Sequence, residues 1–216
     1  MMLAPITSPA DLAAIRALSS TLPPNPFDIT PVIHLQQGQP SDRSRTFWSA
    51  VANALYIVRQ DGEDVYGPTP RFSEKLASCP DLIDSGRRGP IGCDADNLAG
   101  LQLWRAADQA ALTDRPSAPV AFHAVGWLPT NMTQHGWREL ILQYLDEQIV
   151  SAGMVADWAL HALAAESGGW IKKPHFHAVI TSRFWKGPRM GQPQPAWFQT
   201  AKHRAATGDA WAHLCE

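Results

Sequence analysis

Two apolar runs, "MVADWALHALA" (Met154–Ala164) and "HFHAVITSR" (His175–Arg183), flank the segment "AESGGWIKKP". This pattern constrains the chain more than any other. In a β-strand alternate residues share a face. Asp157, Ala159 and His161 then point one way and Met154, Ala156, Trp158 and Leu160 the other. In the second run His175, His177 and Val179 share a face opposite Phe176, Ala178 and Ile180. If the two runs pair as a hairpin, His161 meets His175 and His177.

A His-x-His pair alone is a weak signal in a chain with 8 histidines, and half-buried, hydrogen-bonded imidazoles would give the same pattern. The metal reading gains from the third histidine, from Asp157 as a carboxylate able to orient a ligand, and from the basic stretch that follows. Three neutral imidazoles leave positions open on a divalent ion, which suits polarisation of a phosphoryl or carbonyl oxygen. Imidazole favours Mn, Ni, Co or Zn in affinity. Both readings stand at this level.

Elsewhere the spacing predicts an α+β domain with a central, largely antiparallel sheet and helices packed on it. "ITPVIHLQQ" and "APVAFHAVGWLP" read as strands. A helix follows the first strand, with cap chemistry at Ser41 to Ser44 and a stop at Gly62. Its core stripe is Phe47, Val51, Ala54, Leu55 and Val58, and Tyr56 lies on a second stripe with Trp48 and Ala52. "DADNLAGLQLWRAADQAALTDRP" is a further helix with Asp94 as cap. The strongest helix is "TQHGWRELILQYLDEQIVSAG", with Thr133 as N-cap and Gly153 at its end. Residues 62–93 show no sustained period and read as a long loop. Residues 1–27, with Ser8 as cap and Pro9 at the first helical position, read as an N-terminal helical extension, and 28–216 as one domain.

At 216 residues and 45% hydrophobic composition the chain supports a real core. It has no apolar run of bilayer length and no signal-like N-terminus, so no membrane partner and a cytoplasmic location are expected. Cys79, Cys93 and Cys215 match neither a zinc knuckle nor a disulfide framework, and reduced thiols are expected. The net charge of −2 argues against a generally nucleic-acid-binding surface, but it hides an asymmetry. Lys172, Lys173, Arg183, Lys186, Arg189, Lys202 and Arg204 form a stretch with no acidic residue. It reads either as a solvated face or as a phosphate-binding one.

Together "GMVADWALH", "KPHFHAVITSR", "FWSAVANALYIV" and "VGWLP" resemble the MobA/MobL family of plasmid mobilisation relaxases, within the HUH endonucleases. The family's Gly-Met-x-Ala-Asp-x-x-x-His strand is matched by Gly153, Met154, Ala156, Asp157 and His161. Its following strand is matched by Pro174, His175, His177, Thr181, Ser182 and Arg183, its helix by Ser49 to Ala52 and Tyr56, and a Leu-Trp by Leu103 and Trp104. The chain departs at Lys173, where the family has Asn, and at His123, where it commonly has Glu.

The resemblance implies a relaxase/HUH-endonuclease-like fold and a metal-dependent DNA-nicking transesterase. Its tyrosine attacks single-stranded DNA at an origin of transfer, leaving a 5′-phosphotyrosyl link and a free 3′-hydroxyl. Carried over, Tyr56 is the nucleophile, with Tyr66 in reserve. His161, His175 and His177 hold the cofactor, a divalent metal ion, Mn²⁺ or Mg²⁺, and Asp157 supports them. Lys172, Lys173, Arg183, Lys186 and Arg189 contact the DNA backbone, and Trp185 or Trp197 stacks on bases. Relaxosome accessory and secretion-coupling proteins are further conceivable partners. The competing readings are another HUH nuclease, such as a replication initiator or transposase, and a non-catalytic single-stranded-DNA-binding domain.

Overall fold

The computed structural model describes residues 22–34, 48–92, 100–114, 118–186, 189–194, 197–198 and 200–216. In chain order these form β1 (Phe27–Val32), α1 (Ala50–Ile57), the short β2 (Glu63–Asp64) and β3 (Gly67–Pro68), α2 (Phe72–Ser78), β4 (Leu82–Arg88) and α3 (Gln102–Ala111). There follow β5 (Ala121–Trp127), α4 (Gln134–Leu145) with a π-helical continuation Asp146–Val150, β6 (Ala156–Ala164), β7 (Trp170–Thr181), β8 (Arg183–Lys186), β9 (Arg189–Pro193) and α5 (Ala201–Leu214). Five strands form one sheet in the order β1-β5-β7-β6-β4, antiparallel at every pairing. This is the α+β architecture the sequence predicts.

The alternation of β5, β6 and β7 divides the core into two layers. On one face Phe122, Ala124, Trp158, Leu160, Phe176 and Ile180 pack against Trp137, Ile141 and Tyr144 of α4 and Trp211 of α5. On the other Ala121, Ala159 and Val179 pack against Val51, Ala54 and Leu55 of α1 and Leu103, Trp104 and Ala107 of α3. All the histidines of the candidate site lie on the second face.

Helix α1 is fixed from its first turn. Ser49 caps it by accepting from Ala52 N at 3.0 Å, and the Asp108 carboxylate accepts from Ala50 N at 2.8 Å and Val51 N at 3.2 Å. Donors that a helix start leaves open are thus met by side chains. Ala50 to Leu55 and Ile57 are buried and only Tyr56 is partly exposed. The two expected stripes merge because α1 lies against both the sheet and α3, and three alanines permit the close approach. The helix ends at Ile57, five residues before the expected stop at Gly62. Thr133 caps α4 as expected, accepting from Gly136 N at 3.1 Å.

The expected loop over 62–93 is a misreading of most of that stretch. It contains β2, β3, α2 and the edge strand β4. β4, "LIDSGRR", lacks alternation because an edge strand over a polar rim needs little apolar surface. The β8–β9 hairpin and α5 also had no counterpart among the predicted elements. The predicted N-terminal helix, the caps at Ser41 to Ser44 and Asp94, and Cys93 lie outside the described residues. Among the described residues no helix is long and apolar enough to cross a membrane.

Candidate active site

β6 and β7 pair as a hairpin whose turn uses Gly168 and Gly169, both at positive φ (+87° and +84°). The register sets His161 directly opposite His175. The ring centres of His161, His175 and His177 lie 5.5, 5.2 and 5.1 Å apart. Irregularities flank this point on both sides: the β6–β7 register shifts after His161, and the β4–β6 register shifts between Leu82, opposite His161, and Asp84. Such bulges bend strands and re-aim side chains.

Tyr56 projects from the last turn of α1 towards this cluster, its ring centre 5.6 Å from that of His177 and 6.0 Å from that of His123. The helix ends beneath it in a Schellman arrangement, with Gln60 N donating to Leu55 O at 3.0 Å and Arg59 N to Tyr56 O at 3.2 Å. Glycine usually fills the left-handed position of this motif; here it is Arg59, at φ 57°. That strain, about 1–2 kcal/mol, has a visible counterpart. The Arg59 guanidinium lies 4.8 Å from the Tyr56 ring centre and donates to both Asp81 oxygens, at 3.3 and 3.1 Å. On the other side Lys75 Nζ of α2 lies 5.1 Å from the ring centre and 3.4 Å from the hydroxyl. Tyr66, the reserve nucleophile, pairs with His34 Nδ1 at 2.7 Å and meets Trp48 edge-to-face.

Among the described residues the carboxylate that reaches the histidines is Asp81, its Oδ1 3.3 Å from His161 Nδ1. Asp157, expected in that role, is instead held by Arg87, by Trp104 Nε1 at 2.6 Å and by the strand pairing that brings Arg87 opposite it. It joins β4, β6 and α3. The reason is spacing: Asp157 shares the face of His161 but lies four residues away, about 13 Å along a strand.

Burial pushes the His161 and His123 imidazoles down to about 4, reinforced in each by the Arg59 charge. Burial also holds His177 well below the ordinary histidine range and lowers His175. All four are neutral at neutral pH, as ligation requires. Burial alone would raise the Asp81 carboxyl, but Arg59 and His161 outweigh it and leave it below the usual range.

The donor set fits a divalent cation in number and chemistry. Imidazoles bound at ~2.1 Å around a tetrahedral ion have centres ~5.3 Å apart, close to the separations seen here. His175 Nδ1 faces Lys173 O at 2.8 Å and His177 Nδ1 faces His123 Nε2 at 2.9 Å, which reserves each Nε2 for a ligand. His161 differs, with Nε2 2.9 Å from Ile57 O. Accordingly, among the described residues no three such groups stand already arranged to hold a metal ion. His175 and His177 thus leave Nε2 open, whereas His161 Nε2 is taken up by the Ile57 carbonyl.

Beside the cluster opens a cleft of about 370 Å³ lined by Tyr56, Lys75, Trp127, Ile171, Lys172, Lys173 and His175, with Arg59 and Asp81 at its base. Lys172 and Lys173 are exposed there. The other basic residues are elsewhere. Arg183 is bound to both Asp114 oxygens, at 2.7 and 2.6 Å. Lys186 and Arg189 face each other on the hairpin that leaves the far end of β7. Trp185 is buried and offers no open ring face, and Trp197 is partly exposed, with Phe184 set edge-to-face against it at 4.6 Å. The tryptophan at the cleft is Trp127, 5.3 Å from His175. Lys75 and Asp81 carry no signal of their own in the sequence, because residues 62–93 show no sustained period. Arg59 carried one signal, its position three residues after Tyr56 on the same helix side.

An antiparallel sheet with a histidine triad facing a helix-borne tyrosine defines the class, a relaxase-like α+β domain. The MobA/MobL family model matches residues 95–209, over half of the chain, and the protein belongs to that family. A solved structure described as the molecular basis of vancomycin resistance transfer in Staphylococcus aureus superposes with a TM-score of 0.62 at 17% identity, over 87% of this chain and 88% of that one. At that identity the likeness is one of fold. Comparison with curated proteins returned no match.

Proposed function

We propose that this MobA/MobL protein is a DNA-nicking and strand-joining relaxase of plasmid transfer, with Tyr56 as nucleophile and His161, His175 and His177 as ligands of a divalent cation. One relation carries the reading: the Tyr56 ring lies 5.6 Å from His177, at the mouth of a cleft lined by Lys75, Lys172 and Lys173. The bound cation, Mn²⁺ or Mg²⁺, would polarise a non-bridging phosphate oxygen.

The remaining work belongs to the chain. Tyr56 Oη forms an ester to the scissile phosphorus while the 3′-oxygen leaves and takes up a proton, and the phenol gives one up. One phosphate ester replaces another, so the step is reversible and the strand can be rejoined. Lys75 lies within reach of the attacking oxygen, and Lys172 and Lys173 hold neighbouring phosphates of the single strand. Trp127 and Ile171 offer apolar surface to a base.

The test uses single-stranded oligonucleotides from DNA flanking the gene, with Mn²⁺ or Mg²⁺, read on a denaturing gel. Wild type is expected to give a covalent adduct that Tyr56→Phe abolishes while DNA binding is kept. An unchanged adduct would place the nucleophile elsewhere; binding without any adduct would leave a single-stranded-DNA-binding domain. Metal analysis of His175→Ala checks the triad separately, and undiminished metal content would remove it from the site.

A further inference from the structure

A row of buried polar side chains runs from α1 across β5 to β7, on the sheet face that Tyr56 approaches. Asn53, His123 and His177 are all buried, at 0%, 3% and 7% exposure. Asn53 Nδ2 donates to Ser49 O at 3.0 Å, which fixes the end of the amide that is oxygen. That oxygen, Oδ1, lies 2.7 Å from His123 Nδ1, and His123 Nε2 lies 2.9 Å from His177 Nδ1.

The direction of the row follows from the first of these bonds. An amide oxygen only accepts, so His123 carries its proton on Nδ1. Its Nε2 is then a lone pair, and the short contact beyond it requires the proton of His177 on Nδ1. The row ends with His177 Nε2 bare.

We propose that Asn53 and His123 are positioning residues, an uncharged relay that holds His177 as its Nδ1–H tautomer and presents Nε2 to a divalent cation. This rests on the reading of His177 as a ligand and adds how it is oriented. Ligand histidines commonly give their second N–H to a carboxylate, a backbone carbonyl or water. Here the acceptor for His177 is a neutral imidazole, and that for His175 is the Lys173 carbonyl. The carboxylate at the cluster among the described residues, Asp81, is already paired with Arg59. A cation in this setting keeps its full charge, so it binds less tightly than beside a carboxylate relay and attracts an anionic phosphodiester more strongly.

Two measurements on the full chain without DNA test the relay. Side-chain ¹⁵N NMR at neutral pH is expected to show His123 and His177 both protonated at Nδ1. Calorimetric titration with Mn²⁺ is expected to show affinity about 10–100-fold weaker in His123→Ala, near wild type in His123→Gln, whose amide oxygen can accept the His177 proton, and stronger in Asn53→Asp. Circular dichroism confirms that each variant folds. Should His123→Ala fail to fold, the tautomers and Asn53→Asp decide the matter. An Nε2–H tautomer at His177, or unchanged affinity in a folded His123→Ala or in Asn53→Asp, overturns the relay. If wild type binds no Mn²⁺ while His177 is the Nδ1–H tautomer, the metal reading fails and takes the ligand-presenting role with it.

Discussion

Arg59 and Asp81 form a two-point ion pair in which each side chain is 1% exposed, and the same carboxylate lies 3.3 Å from His161. The pair joins the end of the helix that carries Tyr56 to the start of β4. It therefore sets the distance between the tyrosine and the histidine face.

Removing one partner of a buried pair strands the other charge. Asp81→Asn is expected to cost about 3–5 kcal/mol in urea unfolding, and combining it with Arg59→Met to recover much of that loss. A single-variant loss under about 1 kcal/mol would contradict the pairing.

Asp108 gives a pH signature. Its carboxylate is buried beneath the start of α1, and burial pushes it up to about 7. Because the folded value exceeds the unfolded one, its contribution is full below about pH 4. It then declines as pH rises through 7, by about 1.4 kcal/mol per pH unit. Asp108→Asn keeps an acceptor without the charge, so it should be weakest relative to wild type near pH 4 and gain on it towards pH 8. Parallel stability curves over that range would refute this.

The basic residues divide by position. Replacing Lys75, Lys172 or Lys173 with Ala should weaken single-stranded DNA binding and reduce the salt slope by about 0.7 for each phosphate no longer neutralised. Arg183→Ala breaks the bond to Asp114 and should lower thermal stability with the slope unchanged. Equal slope changes for Arg183 and Lys173 would reverse the assignment.

The tryptophans divide in the same way. Trp127→Ala should cost about 1–3 kcal/mol of single-strand affinity with the fold intact. Trp185, 4% exposed, should instead cost about 3–5 kcal/mol of stability when truncated. Fluorescence-anisotropy binding and chemical unfolding measured on both variants separate the two effects.

The hairpin, the shared face of His161, His175 and His177, the caps at Thr133 and Gly153, and the helix bearing Tyr56 are legible in the order of residues alone. Each of these follows from a period of two or 3.6, or from cap chemistry, acting over a few residues. Lys75 and Asp81, and the choice of Asp81 over Asp157, become visible only in the folded chain. They reach the site because β4 pairs with β6 and because Arg59 takes a left-handed turn. His123 was open to suspicion from its position, but its bond to His177 required the β5–β7 register. Such contacts join residues 19 to 102 positions apart along the chain. Local periodicity fixes which way a side chain faces; only the pairing of distant strands decides what it meets.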